Sequence, residues 1–355
     1  MPIYPELNKR QLAIVSFAKK KKTFQTKDVF AVIGKEFDVE RLTVVRDLSF
    51  LEKNNILKKQ GKGRSVSYGI SFRYLALEKI NIEEYFSFPL SERKARSLFN
   101  DEIFSILNDG LFSEEEMERL EEASEKFTKT KNKLSKESPA ILRKEWERLI
   151  IELSWKSSEI EGNTYTLLET EALIKEMRLA QGKDKAEAQM ILNHKKSLDF
   201  ILANKLYFEN IDLDKIVNIH GLLTEKVDIK KDFRDHPVGI TGTIYRPIPR
   251  RKDIESAMKK LIETVSMIQN PFARAFAALI MIAYIQPFED GNKRTSRIIA
   301  NAILHANDKA MISYRNVETI EYKKAMILFY EQNNLSYIKE IFIAQFEFAV
   351  ENYFR

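Results

Sequence analysis

Apolar residues recur every three or four positions through most of the chain, which is the spacing of a helix with one buried face. The most apolar stretches run from Ala273 to Ile285 and from Ile298 to Leu304. The longest uninterrupted one, Ala275 to Ile285, is too short to span a bilayer, which takes about 20 residues. We therefore predict a mainly α-helical chain, with helices over residues 142–162, 169–179, 186–206, 213–223, 254–268 and 271–285.

The N-terminal part of the chain, up to position 75, follows a different plan, in which helical spacing gives way to two short strands. Helices are predicted over Leu7 to Lys20, 26 to 30 and Val39 to Lys53, and strands over 56–59 and 66–70. Three helices followed by a basic, glycine-containing hairpin resemble a winged helix-turn-helix domain. The apolar face predicted for the third helix consists of Leu42, Val45, Leu48, Phe50 and Leu51.

Two further segments complete the expected organisation. Residues 238–249 combine β-branched residues with glycines, which predicts a short β-hairpin flap. Residues 76–140 are predicted to be a helical linker region, with a polar loop over residues 128–136. The predicted domains are thus a winged helix over residues 1–75, this linker, and a helical core over residues 141–355.

Basic charge is concentrated in the N-terminal fifth of the chain. The whole chain carries +6, whereas residues 1–75 hold 16 Lys+Arg and 7 Asp+Glu, a net of +9 that leaves −3 for the rest of the chain. A basic module favours an anionic partner, most simply DNA, although winged helices also serve as protein-contact modules. The third helix and the hairpin are expected to contact DNA through Arg41, Thr43, Arg46, Lys58, Lys59, Lys62 and Arg64.

Composition narrows the remaining possibilities. There are no cysteines, which excludes disulfides, zinc fingers with cysteine ligands and thiol catalysis. The N-terminus has no apolar signal core, so a cytoplasmic protein is expected. A homodimer is also expected to be possible, because winged helices commonly bind paired DNA half-sites.

Residues 286–297 carry the most informative chemistry of the chain, in the run Gln-Pro-Phe-Glu-Asp-Gly-Asn-Lys-Arg-Thr-Ser-Arg. A Gly-Asn turn between two apolar helices leaves free N–H groups at the start of the second helix, where the helix dipole favours an anion. Arg294 and Arg297 lie on adjacent turns and can donate to phosphate oxygens. Asp290 supplies a carboxylate for the Mg²⁺ that accompanies a nucleoside triphosphate. The run therefore predicts a nucleotide site.

This run resembles the motif HxFx(D/E)GN(G/K)RxxR of Fic-domain proteins at every position except the first. The expected flap precedes it in the chain, as the substrate-binding flap does in that family. A second run, Ser157-x-x-x-Glu161-Gly162, is similar to the family's autoinhibitory motif (S/T)xxxE(G/N). The resemblance covers about residues 100–345. It implies a Fic-type helical core and, as cofactors, ATP and Mg²⁺.

Fic proteins typically transfer AMP from ATP to a hydroxyl of a target protein, so the resemblance implies a role for each matching position. Asp290 would hold Mg²⁺, Arg294 would bind the β-phosphate and Arg297 the γ-phosphate. Glu161 would pair with Arg297 and displace the γ-phosphate from its productive position. The phosphate cradle and the flap, with a tyrosine beside the adenine, would be formed by Gly291, Asn292, Lys293, Thr295, Ser296, Thr241, Gly242, Thr243 and Tyr322.

Two positions depart from the family pattern. Gln286 stands where the family has the histidine that acts as general base, and an amide accepts no proton near neutral pH. Lys293 stands where AMP-transferring members generally have glycine, and a lysine there is similar to the Doc-type branch, which transfers phosphate. No replacement base is expected among the four histidines, and His220 is expected to pack in the core.

Three functions follow from these features. The first is an adenylyltransferase with impaired catalysis that is autoinhibited by Glu161 and modifies a serine, threonine or tyrosine of a protein docked on the flap. The second is a catalytically inactive regulator that senses nucleotide and binds DNA. The third, favoured by Lys293 alone, is a Doc-like phosphotransferase.

Overall fold

The computed structural model describes residues 4–93 and 95–354, except for the side chain of Arg64. It confirms a mainly helical chain with one two-stranded sheet. In the described residues the strands are β1 (Leu57–Gln60) and β2 (Ser67–Ile70). The α-helices are α1 (Lys9–Lys20), α2 (Thr26–Val29), α3 (Arg41–Lys53), α4 (Phe72–Leu77), α5 (Ile82–Ser87), α6 (Glu114–Glu137), α7 (Pro139–Ile160), α8 (Leu167–Glu176), α9 (Lys185–Ala203), α10 (Leu213–Leu223), α11 (Arg251–Met267), α12 (Pro271–Ile285), α13 (Asn292–Ala306), α14 (Thr319–Gln332) and α15 (Ser336–Asn352).

The N-terminal module has its own apolar core. Helices α1 and α3 pack against the hairpin, in which β1 and β2 pair antiparallel from Leu57 opposite Ile70 to Gln60 opposite Ser67. The predicted order of three helices and two strands is confirmed to within a few residues at each boundary. The core of the module consists mainly of Ile14, Val15, Val29, Ile33, Val44, Leu48, Leu51, Ile56 and Tyr68.

The predicted apolar face of α3 is wrong in part. Leu42 is 56% exposed and Phe50 is 36% exposed, whereas Asp47 is buried. The reason is that Asp47 faces α1, where its carboxylate accepts hydrogen bonds from the side chains of Arg10 and Gln11. Because these partners satisfy the carboxylate, the helix can turn a polar position inward and leave two apolar ones at the surface.

Helices α12 and α13 form the centre of a second, larger core. Every residue of α12 is buried apart from Pro271 and Arg274, and α13 packs directly against it. Asn270 begins α12 by accepting a hydrogen bond from the N–H of Ala273 at 3.0 Å, with Pro271 in the first turn. The predicted bounds of this helix and of α10, residues 271–285 and 213–223, match the structure. Helices α7, α9, α10 and α11 flank the central pair.

The polar loop predicted over residues 128–136 is wrong, because these residues belong to the 24-residue helix α6. A capping box at Ser113 and Glu116 begins this helix. Its inner face then buries only small and apolar positions such as Leu120 and Phe127 against the larger core. A helix that contacts the protein along one narrow stripe can be mostly charged, and that composition made it resemble a loop.

The β-hairpin predicted for residues 238–249 is also wrong. The segment turns at Thr241 and Gly242, but within the described residues its two arms do not pair. Instead Arg246 donates its N–H to the carbonyl of Ser97 at 2.9 Å and forms an isolated parallel bridge with Leu98. Two prolines in the second arm lack the N–H that a strand ladder requires, so the arm cannot form a regular ladder with the first.

The helices were also compared with the length and apolar character that a membrane span requires. None of those in the described part of the chain meets both requirements.

Candidate functional site

A tight loop joins α12 to α13 and shapes the start of α13. Helix α12 is capped by Gln286, whose backbone is left-handed with φ of 53°, and Gly291 precedes α13 with φ of 78°. The side chain of Asn292 accepts from the N–H of Phe288 and donates to its carbonyl, both at 2.8 Å. The positive φ would strain the backbone of any residue with a side chain at position 291, and its Cβ would lie 3.5 Å from the ring of His220. The loop is therefore held in one shape from within.

His220, on α10, packs against this loop. Its ring stacks on Phe288 with centroids 3.6 Å apart, and Nε2 lies 3.0 Å from the carbonyl oxygen of Asp290, to which it donates. Burial lowers the pKa of His220 to about 4, so the ring is neutral at pH 7. The prediction that His220 packs in the core is confirmed.

The first turn of α13 opens onto a cleft of about 430 Å³. The first intrahelical bond of α13 joins the N–H of Thr295 to the carbonyl of Gly291 at 2.8 Å, so the three preceding N–H groups point out of the helix end. Arg294 is buried and its Nη2 lies 3.0 Å from Oδ2 of Asp290, whose side chain is 68% exposed. The predicted residues that line this cleft are Glu161, Thr241, Gln286, Asp290, Gly291, Asn292, Lys293, Arg294 and Tyr322.

Arg297 lies behind the cleft and is fully buried. Its Nε donates to Ser157 Oγ at 2.8 Å and its Nη2 to the Ser157 carbonyl at 2.9 Å. Nη2 also lies 2.9 Å from Oε1 of Glu161, and Nζ of Lys293 lies 3.2 Å from Oε2. The two predicted motifs, far apart in sequence, thus meet in the structure.

The carboxylate of Glu161 is charged in this setting. Burial by itself raises the pKa of Glu161, but the positive charges of Arg297 and Lys293 outweigh it and lower the pKa below its usual value. Gly162, with φ of 99°, follows directly and stops α7 in the left-handed conformation. The end of α7 therefore presents a fixed negative charge to the start of α13.

The amide of Gln286 has one defined orientation. Its Nε2 donates to the carbonyl of Ala283 at 2.7 Å. Because a carbonyl can only accept a hydrogen bond, the amide nitrogen must occupy this position, and Oε1 points elsewhere. The residue lines the cleft although it is only 7% exposed. Gln286 thus presents its amide oxygen as a hydrogen-bond acceptor on the wall of the cleft.

Several predicted site residues do not line the cleft. Thr295 and Ser296 are fully buried on the inner face of α13, and Ser296 donates to the carbonyl of Lys293 at 2.8 Å. Gly242 and Thr243 lie beyond the part of the flap that faces the cleft. Thr295 and Ser296 point away from the cleft because successive residues of a helix are rotated by about 100°, so only some positions of α13 can face it.

Tyr322 lies on the opposite wall, in α14. It is 1% exposed, and the guanidinium of Arg297 lies 5.6 Å from the centre of its ring. Among the described residues, none of the four histidines lines the cleft. His236 is the one of them with a mostly exposed side chain, 3.8 Å from Glu289.

Arg234 is a functional candidate that the sequence did not reveal. It is fully buried, and its guanidinium donates to the carbonyls of Gln286, His236 and Ile248 at 2.7, 2.7 and 2.6 Å. Its own N–H donates to the carbonyl of Pro287 at 3.0 Å. One side chain therefore joins both ends of the flap to the first residue of the motif. No local sequence pattern marks an arginine whose partners are three distant carbonyls.

Replacement of Arg234 by methionine is expected to lower the free energy of unfolding by at least about 1 kcal/mol, because three carbonyls lose their N–H partners. Lysine should not restore stability, since one ammonium cannot reproduce the planar fork of a guanidinium. Urea denaturation measures the change. Arg250→Met is the matched control, because that side chain is 80% exposed. Equal midpoints for the two variants would contradict this role.

The predicted DNA-contacting residues lie on one module, and most of them are exposed. Arg41 and Arg46 are exposed on α3, with Thr43 half-buried between them. Lys58 and Lys59 are exposed on β1, and Lys62 in the turn that follows. The side chain of Arg64 lies outside the described residues. The exposed cations thus lie on the third helix and on the hairpin.

Comparisons with known proteins agree with this fold. Residues 210–304 match the model of the Fic/DOC family, which confirms a Fic/DOC domain in this part of the chain. A protein adenylyltransferase Fic of Nematostella vectensis is 29% identical over 155 residues, which are 42% of this chain and 36% of that protein. That of Drosophila melanogaster is 29% identical over 174 residues, 47% of this chain and 35% of that protein. The chain thus spans about a third of the length of these curated relatives.

Solved structures give the same fold. Fic-1 (aa134–508) from C. elegans superposes with a TM-score of 0.53 at 20% identity, covering 66% of this chain and 71% of that one. A Fic domain containing signaling protein from Bacteroides thetaiotaomicron superposes with a TM-score of 0.51 at 18% identity, covering 64% and 96%. These likenesses confirm the predicted Fic-type helical core.

Proposed function

We propose that this chain binds ATP with Mg²⁺ in the cleft at the start of α13 and is built as a protein adenylyltransferase in which Gln286 limits the transfer step. The observation that carries the proposal is the convergence of a free helix N-terminus, Arg294, Asp290 and the Arg297–Glu161 pair on one cleft. Backbone N–H groups and arginines that face one space form a site for phosphate. The names of the relatives at 29% identity support adenylyl transfer as the reaction.

Asp290 fits a role with Mg²⁺. Its carboxylate lies at the cleft, 68% exposed, and Arg294 engages one oxygen. Mg²⁺ is typically held by one or two carboxylates together with phosphate oxygens and water, so a single carboxylate beside a nucleotide suffices. The ion would neutralise charge on the phosphates. Arg294 would then bind the next phosphate from its buried position.

The transfer step requires a hydroxyl oxygen to attack the α-phosphorus while the bond from that phosphorus to pyrophosphate breaks. The hydroxyl proton must leave during this step. Oε1 of Gln286 can accept a hydrogen bond from the hydroxyl and so orient it, because Nε2 is held by Ala283. The amide cannot take the proton, so we expect slow transfer. Loss of a general base typically lowers a rate about 10²–10⁴-fold.

The target polypeptide would dock on the first arm of the flap. Residues 238–241 line the cleft, and in the described part of the chain their backbone groups make no hydrogen bond to other backbone groups. An extended segment can add to such an edge through main-chain hydrogen bonds. A serine, threonine or tyrosine of that segment would then lie near Gln286.

Labelled ATP tests the reaction. The chain with Glu161→Gly, incubated with a protein mixture and Mg²⁺, is expected to yield weak labelling from α-labelled ATP and none from γ-labelled ATP. Labelling from the γ-position alone would instead support the phosphotransferase that Lys293 suggests. No labelling from either position, also after Gln286→His, would refute both transfer reactions.

A DNA-binding regulator is the second candidate, and the exposed cations of α3 and the hairpin favour it. DNA affinity is expected to fall steeply with salt, because phosphate contacts release counterions. The double variant Lys58→Gln, Lys59→Gln should weaken binding and reduce the salt dependence by about two ions. Lys129→Gln with Lys133→Gln removes the same charge from exposed positions of α6 and should change little. Absence of binding at low salt would refute this candidate. This candidate function includes a homodimer that binds paired DNA half-sites.

A further inference from the structure

Lys293 contacts the same carboxylate that holds Arg297. Its Nζ lies 3.2 Å from Oε2 of Glu161, while Oε1 of that residue lies 2.9 Å from Nη2 of Arg297. The two cations differ in access: the side chain of Lys293 is 31% exposed at the cleft, whereas Arg297 is fully buried. The carboxylate therefore bridges one cation that a ligand can reach directly and one that it cannot reach while Glu161 stays in place.

We propose that Lys293 holds Glu161 in the closed arrangement and binds the terminal phosphate of a nucleoside triphosphate in the open one, so that it favours a triphosphate over a diphosphate once Glu161 is displaced. This inference rests on the proposed function, because it concerns the nucleotide of that same site. Lys293 is a specificity-determining residue in this account: it takes part in the closed arrangement with Glu161 and in the open one with the terminal phosphate.

The geometry supports selectivity because each oxygen of Glu161 has its own cation. A ligand that displaces the carboxylate must supply acceptors for both Lys293 and Arg297, or leave a buried guanidinium without its partner. A terminal phosphate group carries several oxygens and can satisfy both cations. A diphosphate that occupies the N-terminus of α13 and Arg294 has no further phosphate to offer, so Glu161 stays in place.

Lys293 consequently has two opposed effects on triphosphate binding. Its ion pair with Glu161 resists opening, and its contact with the terminal phosphate favours it. When Glu161 is present these effects offset each other, and when the carboxylate is absent only the favourable one remains. The effect of Lys293 on ATP affinity must therefore depend on Glu161, which is the coupling that a double-mutant cycle measures.

The experiment is calorimetric titration of the full chain with Mg-ATP and with Mg-ADP, for the unmodified chain, Lys293→Met, Glu161→Gln and the double variant. In the Glu161→Gln background, Lys293→Met should lower ATP affinity about tenfold or more, the value of a lost charge-assisted contact. With Glu161 present the same change should alter ATP affinity by less than about threefold, because the two effects offset. The ADP affinity should change by less than about twofold in either background.

Lys323→Met is the matched control, since Lys323 lines the opposite wall of the cleft on α14. Its effect on ATP affinity should be the same with and without Glu161. Circular dichroism melting of each variant establishes that it is folded.

Three results would overturn the inference. Equal effects of Lys293→Met on ATP affinity in both backgrounds would show that Lys293 and Glu161 do not act together. Equal effects of Lys293→Met on ATP and ADP affinity in the Glu161→Gln background would show that Lys293 does not distinguish the triphosphate from the diphosphate. In both cases nucleotide still binds, so the proposed function stands; binding of neither nucleotide by any folded variant would refute the inference and the proposed function together.

Discussion

Exchange of Gln286 for histidine is expected to raise the rate of AMP transfer about 10²–10⁴-fold, the usual contribution of a general base. The comparison is best made in the Glu161→Gly background, so that inhibition by Glu161 does not mask the gain in transfer rate. The site can accept the ring. Histidine is among the residues that tolerate the left-handed backbone, which Gln286 adopts with φ of 53°. One ring N–H can donate to the carbonyl of Ala283, which now accepts from the glutamine amide.

The second ring nitrogen would then be free to take the proton of the target hydroxyl. Since an unperturbed imidazole has a pKa of about 6.5, the gained activity should rise with pH through that region. Transfer from α-labelled ATP at several pH values measures both effects. Gln286→Asn is the control, because it keeps an amide and should give no gain. Equal rates for the histidine and asparagine variants would show that the missing base does not limit this protein.

Replacement of Glu161 by glutamine is expected to raise the affinity for Mg-ATP about 10–100-fold, the range of a charge-assisted contact. The carboxylate now bridges Arg297 and Lys293, so under the proposed function a terminal phosphate must compete with it for both cations. The neutral amide keeps the shape of the side chain and removes the charge, so the phosphate competes with a much weaker partner. Calorimetric titration of the folded variant measures the gain.

Glu159→Gln is the matched control for that change. Glu159 lies close to Glu161 on α7, where it pairs with Lys156 at 2.7 Å and accepts from Thr319 at 2.9 Å. It does not line the cleft, so its neutralisation should leave ATP affinity within about twofold. An equal gain in the two variants would mean that general charge, rather than the position of Glu161, controls binding.

Helices whose apolar pattern was continuous could be predicted from the sequence to the residue. The bounds of α10 and α12 are examples, because each buries a broad face and is bounded by a clear capping signal. The C-terminal part of helix α6, residues 128–136, was misassigned to a loop, since a narrow contact stripe leaves most positions of this helix charged. The flap was misassigned for a different reason. Its β-branched residues favour strands, but its second arm pairs with Ser97 and Leu98, which lie in a distant part of the sequence.

The part of the candidate site that is contiguous in the sequence could be predicted. Most contacts between distant segments could be found only in the structure. The α12–α13 loop and the pairing of Glu161 with Arg297 followed from two motifs, whereas the hydrogen bonds of Arg297 to Ser157 did not. The second contact of Glu161, with Lys293, required the structure. So did Arg234, whose acceptors are backbone carbonyls and leave no side-chain pattern in the sequence.

The central claim is that ATP binds at the start of α13, and calorimetric titration of Mg-ATP into the Glu161→Gln chain with and without Arg294→Gln tests it most directly. Arg294 is buried beside the cleft and lies 3.0 Å from Asp290. The account predicts saturable binding that weakens about tenfold or more when the guanidinium is lost, in a variant that still melts cooperatively. Binding of equal strength in both proteins, or no binding in either, would contradict it.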